Sequence, residues 1–418
     1  MGLFKLFKVK RAEDDWVISL DIGTEFVKVL IIKMQEGKGI VKGVGRQRQR
    51  LSDMSGGGVT DIAGVIKNAE AALEQAASQA GILPEQVIIG IAGELVKGTT
   101  TTVKYTRDEP KSKITSIELE QIISKVQARA FERARQVLVY ETGREEMDVK
   151  LVNAAISKIE IDGYKVTNPI GFQGKEVQVG IYNSFAPIVQ FGALQTVASE
   201  LELNLIGIVA EPYAVAKCLE PKDVHDFSAI FIDIGGGTTD IALVDNGGLV
   251  GTKMFALGGR TFTKRVSEIM GEKFIEAEKS KINYSAGNLP KEDLEIISRG
   301  LARDAEVWLS GVELTLEEFT TVDILPSKIL LCGGGVNLPE ISKILKSDDW
   351  YKQLPFARKP NINFIQPKDV VNIEDETGEL RDVSDVTPMA LANLALDMAG
   401  PVNVIDHVIQ KVTTDLRS

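Results

Sequence analysis

The chain has 418 residues, which is enough for two to four compact units at roughly 100–200 residues each. Apolar residues make up 44% and charged residues 26% of it, as in a folded globular protein, and no apolar run reaches the ~18 residues of a membrane-spanning helix. The net charge of -11 argues against nucleic acid as the main partner.

Soft metal ligands are scarce and scattered. The cysteines Cys218 and Cys332 lie far apart in the sequence, and so do the histidines His225 and His407. This spacing predicts neither a disulfide framework nor a zinc site. A bound metal would have to be held by carboxylates, hydroxyls, phosphates and water, and this set of ligands favours Mg²⁺.

The N-terminal residues 1–12, MGLFKLFKVKRA, interleave four large apolar residues with four cations. On a helix the four apolar residues share one side, onto which Lys10 also falls. The pattern is typical of a weak interfacial membrane anchor that multivalency in a filament would strengthen, although a disordered basic tail has the same composition. The segment is too short for the apolar core of a signal peptide.

The stretch VISLDIGTEFVKVLII, residues 17–32, predicts a β-hairpin with a short turn. An apolar strand leads to Asp21, the turn contains Gly23 and Thr24, and a second apolar strand follows. A carboxylate at a strand end next to a glycine turn is well placed to orient a hydrated Mg²⁺ beside a phosphate.

A second stretch with the same plan, AIFIDIGGGTTDIALV, covers residues 229–244. Here the strand leads to Asp233, and the turn contains Gly235, Gly236, Gly237 and Thr238. Glycines without Cβ atoms let backbone N–H groups reach an anion, although one such turn alone would also fit a plain glycine hairpin. Two copies about two hundred residues apart predict a duplicated domain that holds a polyphosphate from both sides.

A third glycine motif, SKILLCGGGVNLPEI, follows near the C-terminal end, at residues 327–341. It predicts a strand that meets Gly333–Gly335 and then a helix that begins near Leu338 or Pro339. Gly334 and Gly335 would let the flat face of a nucleoside approach the main chain, whereas a tight strand-to-helix turn is the plainer interpretation. Neither a P-loop motif nor a dinucleotide-binding G-x-G-x-x-G motif occurs in the chain.

The C-terminal residues 405–418 carry a weak helical stripe without aromatic residues, and the opposite face mixes acidic and basic side chains. This composition favours a packed or fraying terminal helix over an interfacial membrane helix.

The order of the three glycine motifs resembles that of the actin-like ATPases, a superfamily of two facing α/β domains with a nucleotide in the cleft between them. The resemblance implies Mg²⁺ and ATP as ligands, with Asp21 and Asp233 orienting the hydrated metal. It places Glu211, in GIVAEPYAVAKCL, near the attacking water. Five residues are then expected to line the nucleoside pocket: Glu278, Lys281, Gly334, Gly335 and Asn337. Without the resemblance, Glu211 would be explained as a glutamate at a helix end. The segment with Glu278 and Lys281 would be explained as a solvated charged helix.

Within this superfamily, the chain resembles FtsA, an actin-like family of bacterial cell division. The segments GVGRQRQRL, IGIAGE and DGYKVTNPIGFQG carry the likeness, which extends from about Trp16 to about Asp397. Between them we expect a helix around Ser116–Arg135 and strands around Ile156–Ile161 and Val177–Ile181. Residues 133–153 are longer and more charged than the family pattern.

The resemblance implies the following division of the chain: an N-terminal tail (1–15), actin-like domain 1 (16–86 and 183–214), an inserted FtsA-type subdomain (87–182), actin-like domain 2 (215–257 and 325–404) with a subdomain lining the adenosine pocket (258–324), and a C-terminal tail (405–418). The expected function is that of an ATP-binding, filament-forming division protein with at most slow Mg²⁺-dependent hydrolysis. It would lie in the cytoplasm on the inner face of the cell membrane and link an FtsZ-type protein to it.

Two alternatives remain open. A PilM-type adaptor of type IV pilus assembly, which would bind a pilus inner-membrane protein, shares the fold and the insertion. A small-molecule kinase on the same fold would need a general base aimed at a substrate hydroxyl, and no motif in the chain offers a spare carboxylate for that role.

Overall fold

The computed structural model describes residues 10–11, 15–93, 96–142, 148–219 and 227–399. The predicted C-terminal tail, both histidines and most of the predicted N-terminal tail lie outside these residues. The strands are β1 (Lys10–Arg11), β2 (Trp16–Ile22), β3 (Phe26–Gln35), β4 (Lys38–Arg48), β5 (Met54–Ser55), β6 (Gly58–Val59), β7 (Ile82–Leu83), β8 (Gln86–Ile91), β9 (Lys97–Thr106), β10 (Val149–Ile161), β11 (Tyr164–Lys165), β12 (Glu176–Pro187), β13 (Asn204–Ala210), β14 (Ala229–Ile234), β15 (Thr239–Asp245), β16 (Gly248–Phe255), β17 (Lys328–Cys332), β18 (Asn361–Phe364) and β19 (Ile373–Asp375). The α-helices are α1 (Ile62–Ala80), α2 (Ser116–Thr142), α3 (Ile188–Glu200), α4 (Glu211–Lys217), α5 (Gly259–Met270), α6 (Phe274–Ser285), α7 (Lys291–Glu317), α8 (Pro339–Leu345) and α9 (Val386–Ala399).

The first half of the molecule is a six-stranded sheet in the order β13-β8-β2-β3-β4-β19. The predicted hairpin of β2 and β3 is confirmed: the strands are antiparallel, and Ile22 pairs with Val27 across the turn. One face of the sheet packs on α1 and α3 through a buried apolar cluster. Asp61 is the N-cap of helix α1, and its carboxylate accepts a hydrogen bond from the N–H of Gly64 at 3.2 Å.

The second half is built on a nine-stranded sheet in the order β11-β10-β12-β9-β16-β15-β14-β17-β18. The second predicted hairpin is also confirmed, with Asp233 of β14 paired to Asp240 of β15. The third glycine motif lies beside it because β17 runs parallel to β14, and helix α8 begins at Pro339 as predicted. Helices α5–α8 cover the outer face of this sheet over their own apolar cluster.

The two expected strands of the insertion are present as β10 and β12, which pair Ile156 with Ile181 and Ile159 with Val179. Helix α2 packs on this sheet and extends to Thr142, beyond the expected end. The insertion joins the second sheet edge to edge, because β9 pairs with β16.

Three elements lie elsewhere than the predicted division of the chain assigns them. Strand β8 pairs with β2 and β13 in the first sheet, whereas the predicted division places the start of the insertion at residue 87. Strand β19 pairs with β4, and α9 packs on β2 and β3, although residues 325–404 were assigned to domain 2. The chain thus returns to the first half after β18, and long-range pairing of this kind leaves no local signal in the sequence.

Helices α4 and α9 lie between the halves. Their buried side chains share one apolar cluster with residues of both sheets, such as Leu30 of β3 and Phe231 of β14. The two glycine hairpins therefore face each other from opposite sides of a common core. Among the described residues, no helix is both long enough and apolar enough to cross a membrane.

Candidate nucleotide-binding cleft

A cavity of about 550 Å³ lies between the two halves. Its walls come from the turns of both hairpins, the first residue of α4, helix α6 and the segment that follows β17. The structure brings together almost all of the predicted site residues here: Asp21, Gly23, Thr24, Glu211, Asp233, Gly235, Gly236, Thr238, Glu278, Lys281, Gly334, Gly335 and Asn337. Gly237 is the predicted residue that does not line the cavity.

The two turns approach each other closely at their glycines. A Cβ atom built on Gly236 would lie 2.7 Å from Cγ of Glu25, and one built on Gly237 would lie 3.0 Å from Oγ1 of Thr24. Each turn is also closed internally: the N–H of Gly23 donates to the carbonyl of Phe26 at 3.0 Å, and the N–H of Gly235 donates to the carbonyl of Thr238 at 2.9 Å. Gly237 therefore allows the two turns to approach each other, and Gly236 leaves its backbone N–H group next to the cavity.

Four buried carboxylates surround the inner end of the cavity. Burial and mutual repulsion raise the pKa of Asp21 to about 6 and that of Asp240 to about 8. Burial likewise raises the pKa values of Asp233 and Glu211, in the second case well above its ordinary range. Lys28 lowers the pKa values of Asp21, Asp233 and Glu211 and thus opposes these shifts. At the inner end, the four carboxylates outnumber this lysine.

These groups fit a hydrated cation better than a bare one. In the described part of the chain, no three His, Cys, Asp or Glu side chains are grouped so that they could hold a metal ion directly. Mg²⁺ usually keeps several water ligands in proteins, and carboxylates around it can bind those waters. Asp233 is held for such a contact, because Thr387 donates a hydrogen bond to its Oδ2 at 2.6 Å.

Glu211 is positioned by a glycine that sequence reasoning missed. Gly90 of β8 lies so close to it that a Cβ atom at this position would be 2.7 Å from Oε1 of Glu211. The absence of a side chain at Gly90 lets the glutamate side chain lie across the strand and line the cavity. The pairing of β8 with β13 brings Gly90 to this place, because Gly90 pairs with Val209, two residues before Glu211.

The side of the cavity formed by α6 contains a buried polar network. Nζ of Lys281 lies 2.8 Å from Oε2 of Glu278 and donates to the carbonyl of Gly259 at 3.0 Å. Thr263 bonds to both side chains, at 2.8 Å from Lys281 and at shorter range to Glu278. The predicted pair is thus anchored to the start of α5, and half-exposed apolar atoms of Ile282 complete this wall.

Three other lining residues were missed as well. Lys28 donates to the carbonyl of Ser384, Asp240 accepts a hydrogen bond from Thr238 at 3.1 Å, and Gly259 meets the second turn. Asp240 is the last residue of the quoted GGGTTD motif, so a signal for it was present. The alternation of side chains along β3 places Lys28 on the same face of the sheet as Asp21, with which it pairs across the hairpin.

Comparison with known proteins gives three relevant matches. The model of the family described as "Cell division protein FtsA" matches residues 230–375. The cell division protein FtsA of Streptococcus pneumoniae serotype 2 (strain D39 / NCTC 7466) is 23% identical over 347 residues, covering 78% of this chain and 72% of that protein. The FtsA of Bacillus subtilis (strain 168) is 27% identical over 348 residues, covering 78% and 75%. The chain is an FtsA-like protein.

The fold has a counterpart among solved structures. A chain of a PilM–PilN type IV pilus biogenesis complex superposes with a TM-score of 0.63 and 16% identity, covering 92% of this chain and 99% of that chain. At this identity the match concerns the fold alone, and it confirms the predicted actin-like fold. The sequence matches to proteins named FtsA support a cell-division role for the FtsA-like chain and leave the pilus role as the alternative.

The raised pKa values predict a pH dependence for the FtsA-like chain without nucleotide. The folded state holds protons on Asp21 and Asp240 up to about pH 6 and about pH 8, whereas unfolded carboxylates release them near pH 4. Because the folded state binds more protons, the free energy of unfolding should fall as the pH rises through this range. Urea unfolding in EDTA between pH 5.5 and pH 8.5 measures it.

The variant Asp240→Asn provides the control, since it should flatten the part of the decline above pH 6. A free energy of unfolding that increases with pH, or an equal slope in both proteins, would contradict the assignment.

Proposed function

We propose that this chain is an ATP-binding, filament-forming protein of cell division that links an FtsZ-type protein to the membrane. The observation that carries the proposal is the cavity between the two glycine turns, with buried carboxylates at its inner end, in an FtsA-like chain. A polyphosphate with Mg²⁺ is the ligand class that needs both features together.

Each group has a chemical role in this proposal. Asp21 and Asp233 hold the waters of a Mg²⁺ ion, which would supply positive charge to the phosphates when bound. Gly236 offers its backbone N–H group to the phosphates, Gly23 and Gly235 close the turns and leave room for the phosphates, and Thr24 and Thr238 offer hydroxyls. Glu211 positions the attacking water. The nucleoside lies between the polar network of α6 and the glycines after β17: Glu278, Lys281, Gly334, Gly335 and Asn337.

Slow turnover suits a nucleotide that acts as a switch. A ligand that contacts both turns favours the closed arrangement of the two halves over open ones. Surfaces on the two halves then keep one relative orientation, which is what addition of the next subunit to a filament requires. In this proposal ATP therefore promotes self-association, and hydrolysis weakens it.

The proposed membrane contact is the N-terminal segment. Strand β1, which directly follows residues 1–9 in the sequence, pairs with β7 through Lys10 and Arg11. Their sequence combines Leu3, Phe4, Leu6 and Phe7 with Lys5 and Lys8. One such segment binds anionic lipid weakly, and many along a filament bind strongly. The protein would thus lie peripherally on the inner face of the cell membrane.

Sedimentation with liposomes tests this proposal. Full-length protein should pellet with vesicles containing phosphatidylglycerol in the presence of Mg²⁺ and ATP, and much less without nucleotide. A variant with serine at positions 3, 4, 6 and 7 keeps β1 and both lysines and should stay in the supernatant. If intact protein binds ATP but never pellets, the N-terminal segment is not the anchor.

The partner needs a separate test because the fold is shared with a pilus protein. Fluorescence anisotropy compares a labelled C-terminal tail peptide of FtsZ with a labelled N-terminal peptide of a pilus inner-membrane protein, both from the same organism. Binding of the FtsZ peptide supports the division role. Binding of the pilus peptide alone would replace it by the pilus role.

A further inference from the structure

Arg260 forms hydrogen bonds to both of the turns that line the cleft. It is the second residue of α5, and its N–H donates to the carbonyl of Gly236 at 2.7 Å, next to a bond from Gly259 to Gly235 at 2.9 Å. The start of α5 is thereby attached to the second turn. A Cβ atom on Gly258 would lie 2.7 Å from the carbonyl oxygen of Gly235, so this attachment requires glycine there.

The side chain of Arg260 extends to the first half of the molecule. Its Nε donates to Oε1 of Glu25 at 2.6 Å and its Nη2 donates to the carbonyl of Thr24 at 2.7 Å. A third bond, from Nη1 to the carbonyl of Met54, measures 3.1 Å. Glu25 also accepts from Arg48 at 3.1 Å. The guanidinium thus holds the first turn and the β5 hairpin at the same time, and both supply residues to the cavity wall.

These contacts are largely shielded from solvent. The side chains of Arg260 and Glu25 are 17% and 16% exposed, and charge-assisted hydrogen bonds of this kind are stronger than neutral ones. Glu25 is also confined by Gly236, whose missing Cβ atom makes room for it. The cluster has one acidic and two basic side chains, and Arg260 is the member that comes from the second half.

We propose that Arg260 clamps the two turns together and thereby slows the release of nucleotide from the cleft. This inference rests on the proposed binding of ATP between the turns. A nucleotide whose phosphates lie between the turns leaves only when the turns separate. Separation must break the bonds of Arg260 to Glu25, Thr24 and Met54, so these bonds add to the barrier for release. They add much less to the barrier for entry, because the open protein has already lost them.

The test is a stopped-flow measurement of mant-ATP release with Mg²⁺, in which excess unlabelled ATP chases the bound probe. Arg260→Ala should release the probe about 10- to 100-fold faster than wild type, since several charged hydrogen bonds are lost. Arg260→Lys should also be fast, because an ammonium group cannot reproduce the planar fork that reaches Glu25 and Thr24 together. Glu25→Gln keeps the shape and should give a smaller increase.

Arg265→Ala is the matched control. Arg265 lies on the same helix and forms an ion pair with Asp304 at 2.9 Å, away from the cleft. Its release rate should equal that of wild type. The double variant with alanine at positions 25 and 260 should release the probe more slowly than the product of the two single alanine effects predicts. The effects on the free-energy barrier are then less than additive, because both changes remove the same interaction.

The outcomes separate the two proposals. If wild type binds no mant-ATP, the proposed nucleotide function fails and the clamp fails with it. If wild type binds the probe and Arg260→Ala releases it at the wild-type rate, the clamp alone is rejected. Equal acceleration in Arg260→Ala and Arg265→Ala would also reject it, because the effect would then come from α5 as a whole.

Discussion

Replacement of Asp21 by asparagine should abolish most Mg²⁺-dependent ATP binding and yet raise the thermal stability of the nucleotide-free protein. Asp21 is fully buried, and desolvation together with the charges of Asp233 and Asp385 raises its pKa to about 6. At pH 8 the wild-type protein must keep this carboxylate ionised in an unfavourable place. Asparagine has the same shape without the charge, so on the order of 2 kcal/mol of unfavourable free energy is removed.

The loss of binding has the same cause. Lys28 offsets the buried negative charge only in part, and a hydrated Mg²⁺ ion beside it would convert it into a favourable interaction. For wild type, ligand at about 1,000 times its dissociation constant adds roughly 4 kcal/mol to the free energy of unfolding. We expect this increment to shrink to a small fraction in Asp21→Asn, because the metal is no longer held.

Differential scanning calorimetry at pH 8, with and without Mg²⁺ and ATP, measures both effects at once. Asp349→Asn is a suitable control, since the side chain of Asp349 is 92% exposed and the change in net charge is identical. A full nucleotide-dependent increase in melting temperature in Asp21→Asn would show that this carboxylate does not hold the metal.

The second prediction concerns hydrolysis. Glu211→Gln should bind ATP as wild type does and hydrolyse it about 100-fold more slowly or slower still, because the amide cannot accept the proton of the attacking water. Filaments formed with ATP should then persist. Burial and the nearby carboxylates raise the pKa of Glu211 well above its ordinary range, and a positive charge beside it would lower that pKa.

Gly90→Ala is a companion variant that leaves the carboxylate in place. Its methyl group would occupy the position 2.7 Å from Oε1 of Glu211 and push the side chain aside, so turnover should fall while ATP binding is kept. Single-turnover hydrolysis of radiolabelled ATP measures the turnover of both variants. Glu200→Gln, on the exposed end of α3, is the control. Wild-type turnover in Glu211→Gln would assign the positioning of water to another group.

Both hairpins were predictable from sequence because their signals are local. Alternation of apolar residues defines each strand, and a carboxylate followed by glycine marks each turn within a span of sixteen residues. Sequence could also predict that the turns share a ligand, because the motif is repeated. The nucleoside pair Glu278 and Lys281 depended on resemblance, since a charged helix has no local feature that distinguishes a pocket wall from a solvated face.

The amino-acid sequence by itself determined the two glycine turns, their aspartates, the third glycine motif and the strands of the insertion, because each of these depends on neighbours along the chain. The tertiary structure alone decided that β19 and α9 return to the first half, that Gly90 makes room for Glu211, and that Arg260 reaches Glu25. These contacts join residues that are more than a hundred positions apart, and a long-range pairing depends on how whole sheets and helices pack rather than on any local pattern.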